Sequence, residues 1–331
     1  MIQIKQVVIY GHKLHSHTHS YIHNGFYIAF KHLGFKTYHF DDNDDLSSHD
    51  FSNTLFITEH QVNKKIPLRD DCLYLTHYID EGDYVGVPKE NIIILKVSLR
   101  DYNEKEKNSN YNYIDLKYGI KHEYHCVDND GYNCLYMYWA TDLLPEEIDI
   151  NMKEIDNIKS ENQIYFIGSL THKWYEFYRI CRNYGIPFIN YGASFNLNSD
   201  KNISVSDNMK LIKRSIIAPA LQDDRQVKNQ YIPCRIFKNI SYGKMGLTNN
   251  KIVDDLFENK LIYESDLTKL LIRGLEFEKR VDKNETILEL MKIVRDNHTY
   301  INRVNTIMKY VNQYTKFSIT MTPTQTNNEN M

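Results

Sequence analysis

Short apolar runs alternate with stretches of helical period along this chain, and the rhythm is similar in both halves. In the first half, residues 7–10, 37–40, 54–58, 73–76 and 92–97 read as strands, each a mostly apolar run bounded by polar or turn-forming residues. Between the first two, Tyr21, Ile22, Phe26, Ile28, Ala29, Phe30 and Leu33 mark one face of a helix over 21–33, and Gly34 ends it. A strand–helix–strand rhythm predicts a parallel sheet with helices on both faces.

Residues 143–162 are polar and carry no strand signal, which suits a linker or a short connecting helix. A second series follows. Its expected strands are 164–167, 188–191, 216–219 and 245–248, and its expected helices 172–184, 207–214, 233–242, 252–257 and 267–279. One long helical pattern runs from about 285 to 314, and the polar residues 315–331 are expected to fray. No internal repeat is visible. Two consecutive α/β domains with a cleft between them is the simplest architecture for 331 residues.

Composition narrows the functional classes. A net charge of −3 gives no bulk attraction to nucleic acid or to a membrane. No apolar run approaches the roughly 20 residues of a membrane span, and the N-terminal residues read as a first strand, not as a signal peptide. Cys72, Cys126, Cys134, Cys181 and Cys234 are odd in number and lack CxxC spacing. Free thiols in a reducing cytoplasm, the host's if the chain is viral, are therefore expected. Abundant Tyr, Asn, Ile and Lys reflect base composition more than function.

The segment 218–250 carries the strongest chemical signal. It reads as an apolar strand, a polar loop with cations, a helix beginning near Pro233, a turn at Gly243 and a second strand. Arg225, Lys228 and Arg235 lie in the loop and at the helix start. A helix N-terminus flanked by cations attracts an anion, and open α/β sheets bind ligands at the carboxyl edge. The anion expected is a diphosphate. Lys173, in the loop after the first strand of the second series, adds a cation, and Gly168 and Ser169 offer backbone N–H groups to a phosphate. Tyr191 ends a strand where a nucleobase would lie. Asn249 and Asn250 either bond sugar hydroxyls or form a turn.

Gly168-Ser169 after a strand, and IPCRIFKNISYGKMGLTNN at 232–250, resemble the nucleotide-sugar-binding half of GT-B glycosyltransferases. The nearest likeness is to the family-1-like domain of spore-maturation-type proteins and to surface-glycan glycosyltransferases of bacteria and large DNA viruses. Residues 15–42, 57–77 and 138–148 look like the acceptor-side domain and its exit. The resemblance implies an α/β fold of two Rossmann-like domains facing a cleft. The acceptor-side domain would span 1–145, the linker 146–162 and the nucleotide-sugar-binding domain 163–299. A helix over 300–318 would pack back on the first domain, ahead of a flexible tail at 319–331. It implies a metal-independent hexosyl- or deoxyhexosyltransferase that moves sugar from a UDP-, GDP- or dTDP-linked donor to a glycan hydroxyl, with no cofactor. The Glu-x7-Glu pair of many retaining members is missing, so the stereochemical outcome stays open.

His12, His15, His17, His19 and His23 crowd the first strand-to-helix passage. In the GT-B arrangement this loop faces the cleft, which makes His17, then His19, the expected base for the acceptor hydroxyl. A packing role, with Ser20 as helix cap, fits the same residues. His-x-His also begins some metal hydrolases, but the later His32, His39, His49, His60 and His77 show no ligand spacing that completes such a site. Among carboxylates, Asp80, Glu81, Asp83 and Asp101 follow strands, while Asp41, Asp42, Asp44 and Asp45 read as a solvated loop. A binding module that has kept the donor cleft and lost turnover is the other class to separate.

Overall fold

The computed structural model describes residues 1–11, 13, 18–59, 65–98, 114–115, 124–128, 130–168, 171–191 and 203–320. The first unit is built from β1 (Ile2–Gln3), β2 (Gln6–Tyr10), α1 (Thr18–His32), β3 (Thr37–Phe40), β4 (Thr54–Thr58), β5 (Leu73–Thr76), β6 (Ile92–Lys96), β7 (Ile114–Asp115), β8 (Tyr124–Val127) and β9 (Asn133–Tyr136). Their sheet has the order β3-β2-β4-β5-β6-β9-β8-β7. The six strands from β3 to β9 run parallel, and β8 and β7 extend the edge antiparallel. Every residue of β2, β4 and β5 is buried, as expected of strands covered on both faces. The chain leaves β2 for β3 on one side and returns to β4 on the other. The strand order therefore reverses at β2, and the loop into α1 opens at that switch point, where such sheets bind ligands.

The antiparallel extension was not legible as strands. Its turn, Asp128 to Tyr132, is held by Asp128 Oδ1, which accepts from the Tyr132 and Asp130 amides.

After α2 (Pro145–Lys153) the second unit runs β10 (Ile164–Ile167), α3 (His172–Asn183), β11 (Phe188–Tyr191), α4 (Val205–Arg214), β12 (Pro219–Ala220), α5 (Asp224–Lys228), α6 (Cys234–Ser241), β13 (Leu247–Thr248), α7 (Lys251–Leu256), β14 (Ile262–Tyr263), α8 (Leu267–Glu278), α9 (Lys283–Asn297), α10 (Tyr300–Tyr314) and β15 (Phe317–Ser318). Here β10 pairs with β11 and β12-β13-β14 form a second group, all parallel. The groups meet where the Ile216 amide donates to the Gln163 carbonyl at 2.8 Å. The order reverses again, at β10. Between Asp223 and Lys228 the expected loop is a short helix capped by Asp223, so Arg225 and Lys228 are helical.

The single long helix expected over 285–314 is two. They break at His298 and Thr299, where the Thr141 amide donates to the His298 carbonyl and Asn302 Oδ1 accepts from the Thr299 amide and hydroxyl. Thr299-x-x-Asn302 is a weak form of the capping box, which is why the break is hard to read. Beyond it, α10 lies on α1. A Cβ on Gly25 would sit 2.3 Å from ring carbons of Tyr300, so α1 accepts a mid-helix glycine, at about 1 kcal/mol of propensity, to let α10 approach. Val304, Ile307, Tyr310 and Val311 join the core of the first unit with Val7, Ile9, Ile22 and Phe26. Burying each such side chain contributes roughly 1.5–3 kcal/mol. The polar stretch after Tyr314 is built into the fold: β15 pairs with β1, and Phe317 and Ile319 are fully buried.

The units meet around 138–142. Thr141 and Ser241 hydroxyls bond at 2.7 Å, Tyr242 donates to Asp142 at 2.7 Å, and Lys238 pairs with Asp142 at 2.9 Å. Fully buried Arg303 donates to the carbonyls of Tyr138 (2.8 Å), Trp139 (3.0 Å) and Asn297 (3.1 Å). Farther along, Ser98 Oγ donates to the Asn229 carbonyl at 2.8 Å.

Candidate functional site

The carboxyl edge of β10 brings together Gly168 and Arg235. Gly168 has φ +142°, and a Cβ there would lie 2.9 Å from Arg235 Nη2. The backbone conformation favours glycine, and a side chain there would push the guanidinium aside. Arg235 lies one residue into α6, whose N-cap is Pro233. Its Nη1 donates to the Ile167 carbonyl at 3.0 Å, and its guanidinium lies 4.6 Å over the Phe166 ring and 5.4 Å over Trp174. Burial weakens its hold on the proton, partly offset by Cys234 and Tyr231. Among the described residues no carboxylate lies within ion-pair distance of it. A guanidinium carries five donors in a rigid fork, so a desolvated arginine held by one carbonyl and two rings retains the capacity to grip an anion.

The other cations differ. Lys173 pairs with Glu176 at 3.3 Å and Asp224 at 3.5 Å, so it binds α3 to α5 and is already neutralised. Arg225 and Lys228 are exposed on α5 and have no ion pair among the described residues. Lys238, one turn beyond Arg235, is committed to Asp142 and lies 5.5 Å from the ring of Tyr21 in the first turn of α1. That contact sets the start of α1 opposite α6, across the cleft.

Asn249 and Asn250 hold the loop together. Asn249 accepts from the Gln222 amide and donates to the Gln222 carbonyl, both at 2.8 Å. Asn250 caps α7 and donates to Gln222 Oε1 at 2.8 Å. These bonds brace the segment leading to α5, the turn-type use of the pair, and neither amide is offered outward as a sugar ligand. Tyr191 ends β11 half-buried, and its carbonyl accepts from the Gly168 amide at 2.9 Å.

Opposite this edge, His19 is the second residue of α1, on the turn that faces α6. Its side chain, together with His17 and Ser169, lies outside the described residues, as do His12, His15 and Asp101. His23 is buried, and its Nε2 is 3.1 Å from Nε2 of His77, so one ring donates to the other. Their ring centroids are 5.2 Å apart, and His77 lies 5.0 Å from Trp139, whose core cluster Tyr231 of the second unit packs against. The pair sits where β2 and β5 end, and sequence spacing alone had not singled it out. No three metal-binding side chains converge among the described residues. Asp83 accepts from the Asp80 amide, a turn contact, and Asp44 is paired with Lys13 at 2.7 Å.

The neighbours of Arg235 were not readable from sequence, because its isolation from carboxylates is a tertiary fact. No helix among the described residues is long and apolar enough to cross a membrane.

No family model and no curated protein matches the chain. Among solved structures it is similar to an α,α-trehalose-phosphate synthase (UDP-forming) from Burkholderia xenovorans in complex with glucose-6-phosphate. The TM-score is 0.55 at 9% identity, over 92% of this chain and 99% of that one. An OtsA apo structure aligns with a TM-score of 0.45 and 9% identity over 88% of this chain and 76% of that one. At 9% identity the first likeness is one of fold, and the chain accordingly has the GT-B fold, two Rossmann-like units facing a cleft.

Proposed function

We propose that the chain is a glycosyltransferase that moves a hexosyl or deoxyhexosyl group from a UDP-, GDP- or dTDP-linked donor to a hydroxyl of a glycan or related acceptor, without a metal. The observation that carries this is Arg235: a half-buried guanidinium, with no carboxylate at ion-pair distance among the described residues, against Gly168 at the carboxyl end of β10. As the bond from the sugar's anomeric carbon to the diphosphate breaks, negative charge grows on the leaving oxygen. A preorganised cation in a partly dry site stabilises that charge. Arg225 and Lys228 supply further positive charge from α5, and Lys173 joins them if it exchanges its carboxylates for phosphate. The acceptor proton passes to a histidine of the loop before α1, with His17 ahead of His19. The similar synthase is described as UDP-forming, which favours a nucleotide-sugar donor here as well.

Calorimetry with UDP, GDP and dTDP tests the donor half. One of the three should bind in the presence of a chelator, and Arg235→Ala should weaken it by roughly 1.5–3 kcal/mol, the loss of a charge-assisted hydrogen bond. Arg225→Ala and Lys228→Ala should act in the same direction and more weakly. Unchanged affinity in all three variants would reject the site.

A further inference from the structure

Asn190 is the penultimate residue of β11, and its register partner is Phe166 of β10. Paired residues of a parallel sheet point to the same face. That face carries the Phe166 ring, 3.8 Å from Trp174 and directly under Arg235. Both polar atoms of the Asn190 carboxamide, Oδ1 and Nδ2, are buried, and neither has a hydrogen-bond partner. Among the described residues it is the one side chain that leaves two buried polar atoms unsatisfied. An amide in that condition is costly, and a leucine would fill the same space at no such cost.

The position suggests what offsets it. Asn190 lies 22 residues after Gly168. In doubly wound nucleotide-binding folds, the end of the second strand, roughly 20 residues past the glycine turn, meets the nucleoside. A neutral amide has no preference for the diphosphate, which Arg235 serves. Its adjacent donor and acceptor match a ligand edge carrying an adjacent acceptor and donor.

Resting on the nucleotide-sugar reading above, we infer that Asn190 recognises the nucleoside half of the donor, with Nδ2 donating and Oδ1 accepting. The lactam edge of uracil, thymine or guanine presents such a pair, and so does the ribose diol. The amide is covered in the free chain, so contact requires its cover to move aside.

The test is Asn190→Leu in the full chain, with Asn190→Ala as the second variant should leucine not fit. Affinities for UDP, GDP, dTDP, CDP and inorganic pyrophosphate are measured by calorimetry, and stability by urea unfolding. The variant is expected to be at least as stable as the parent, to bind the preferred nucleoside diphosphate at least tenfold more weakly, and to bind pyrophosphate unchanged. Equal losses for ribose 5-phosphate, measured beside the diphosphates, would assign the contact to ribose. Losses confined to UDP, GDP or dTDP would assign it to the lactam edge. A folded variant whose affinity for the preferred diphosphate stays within twofold of the parent overturns the inference and leaves the glycosyltransferase reading standing. A parent chain that binds none of the nucleoside diphosphates overturns both.

Discussion

Replacing Arg303 with alanine is expected to destabilise the chain by about 4 kcal/mol or more. The guanidinium is fully buried and spends its donors on the carbonyls of Tyr138, Trp139 and Asn297. Truncation leaves three buried acceptors, at roughly 1–3 kcal/mol each, and opens a cavity beneath the Tyr138 ring. His298 makes the arrangement more exacting. Burial, and then the neighbouring Arg303 charge, hold its pKa well below the usual histidine value, so its ring stays neutral and Nδ1 can accept from Nη2 at 3.4 Å. Those groups come from the exit of the first unit, the end of α9 and the break before α10, so one side chain closes the junction. Arg303→Lys should not rescue it, because an ammonium cannot reach carbonyls arranged around a planar fork. Urea unfolding checks this, and a loss below about 1 kcal/mol would contradict the assignment.

The second large effect is kinetic. His17→Asn should lower turnover by on the order of 10²–10⁴-fold while leaving donor affinity nearly unchanged, and His19→Asn should do so if His19 is the base instead. Sugar transfer to a hydroxyl requires the hydroxyl's proton to leave, and a neutral imidazole is suited to take it. The passage from β2 to α1 opens at the switch point of the first sheet, and the first turn of α1 meets α6 through Tyr21 and Lys238. On the proposed reading the base belongs to this passage and Arg235 belongs to the donor site, and the Tyr21–Lys238 contact relates the helices that carry them. Full turnover in both variants would move the base elsewhere. Joint loss of donor binding and of a stoichiometric metal would instead favour a metal site.

Much of the architecture was legible because strands buried on both faces are mostly apolar along their length. QVVIY, TLFIT and LYLT announce themselves. Elements held by partners distant in sequence did not. The strands Tyr124–Val127 and Asn133–Tyr136 carry mixed residues, and only pairing makes them strands, Asn133–Tyr136 with β6 and Tyr124–Val127 with Asn133–Tyr136. The break at His298 depends on Thr141, far away in sequence. The site divides in the same way. Cations after a strand were visible as residues, but sequence does not show that Lys173 is neutralised by Glu176 and Asp224 while Arg235 is not. Nor does it show that Asn249 and Asn250 are consumed by Gln222, or that Asn190 is buried without partners.

Sugar transfer is measured most directly by incubating the purified chain with UDP-, GDP- or dTDP-linked sugars, a panel of glycan acceptors and a metal chelator. The expected result is release of one nucleoside diphosphate that depends on acceptor, persists in the chelator and falls in Arg235→Ala. Donor binding without release under any acceptor would mark a binding module in place of an enzyme. Neither binding nor release with any of the three donors would contradict the glycosyltransferase reading outright.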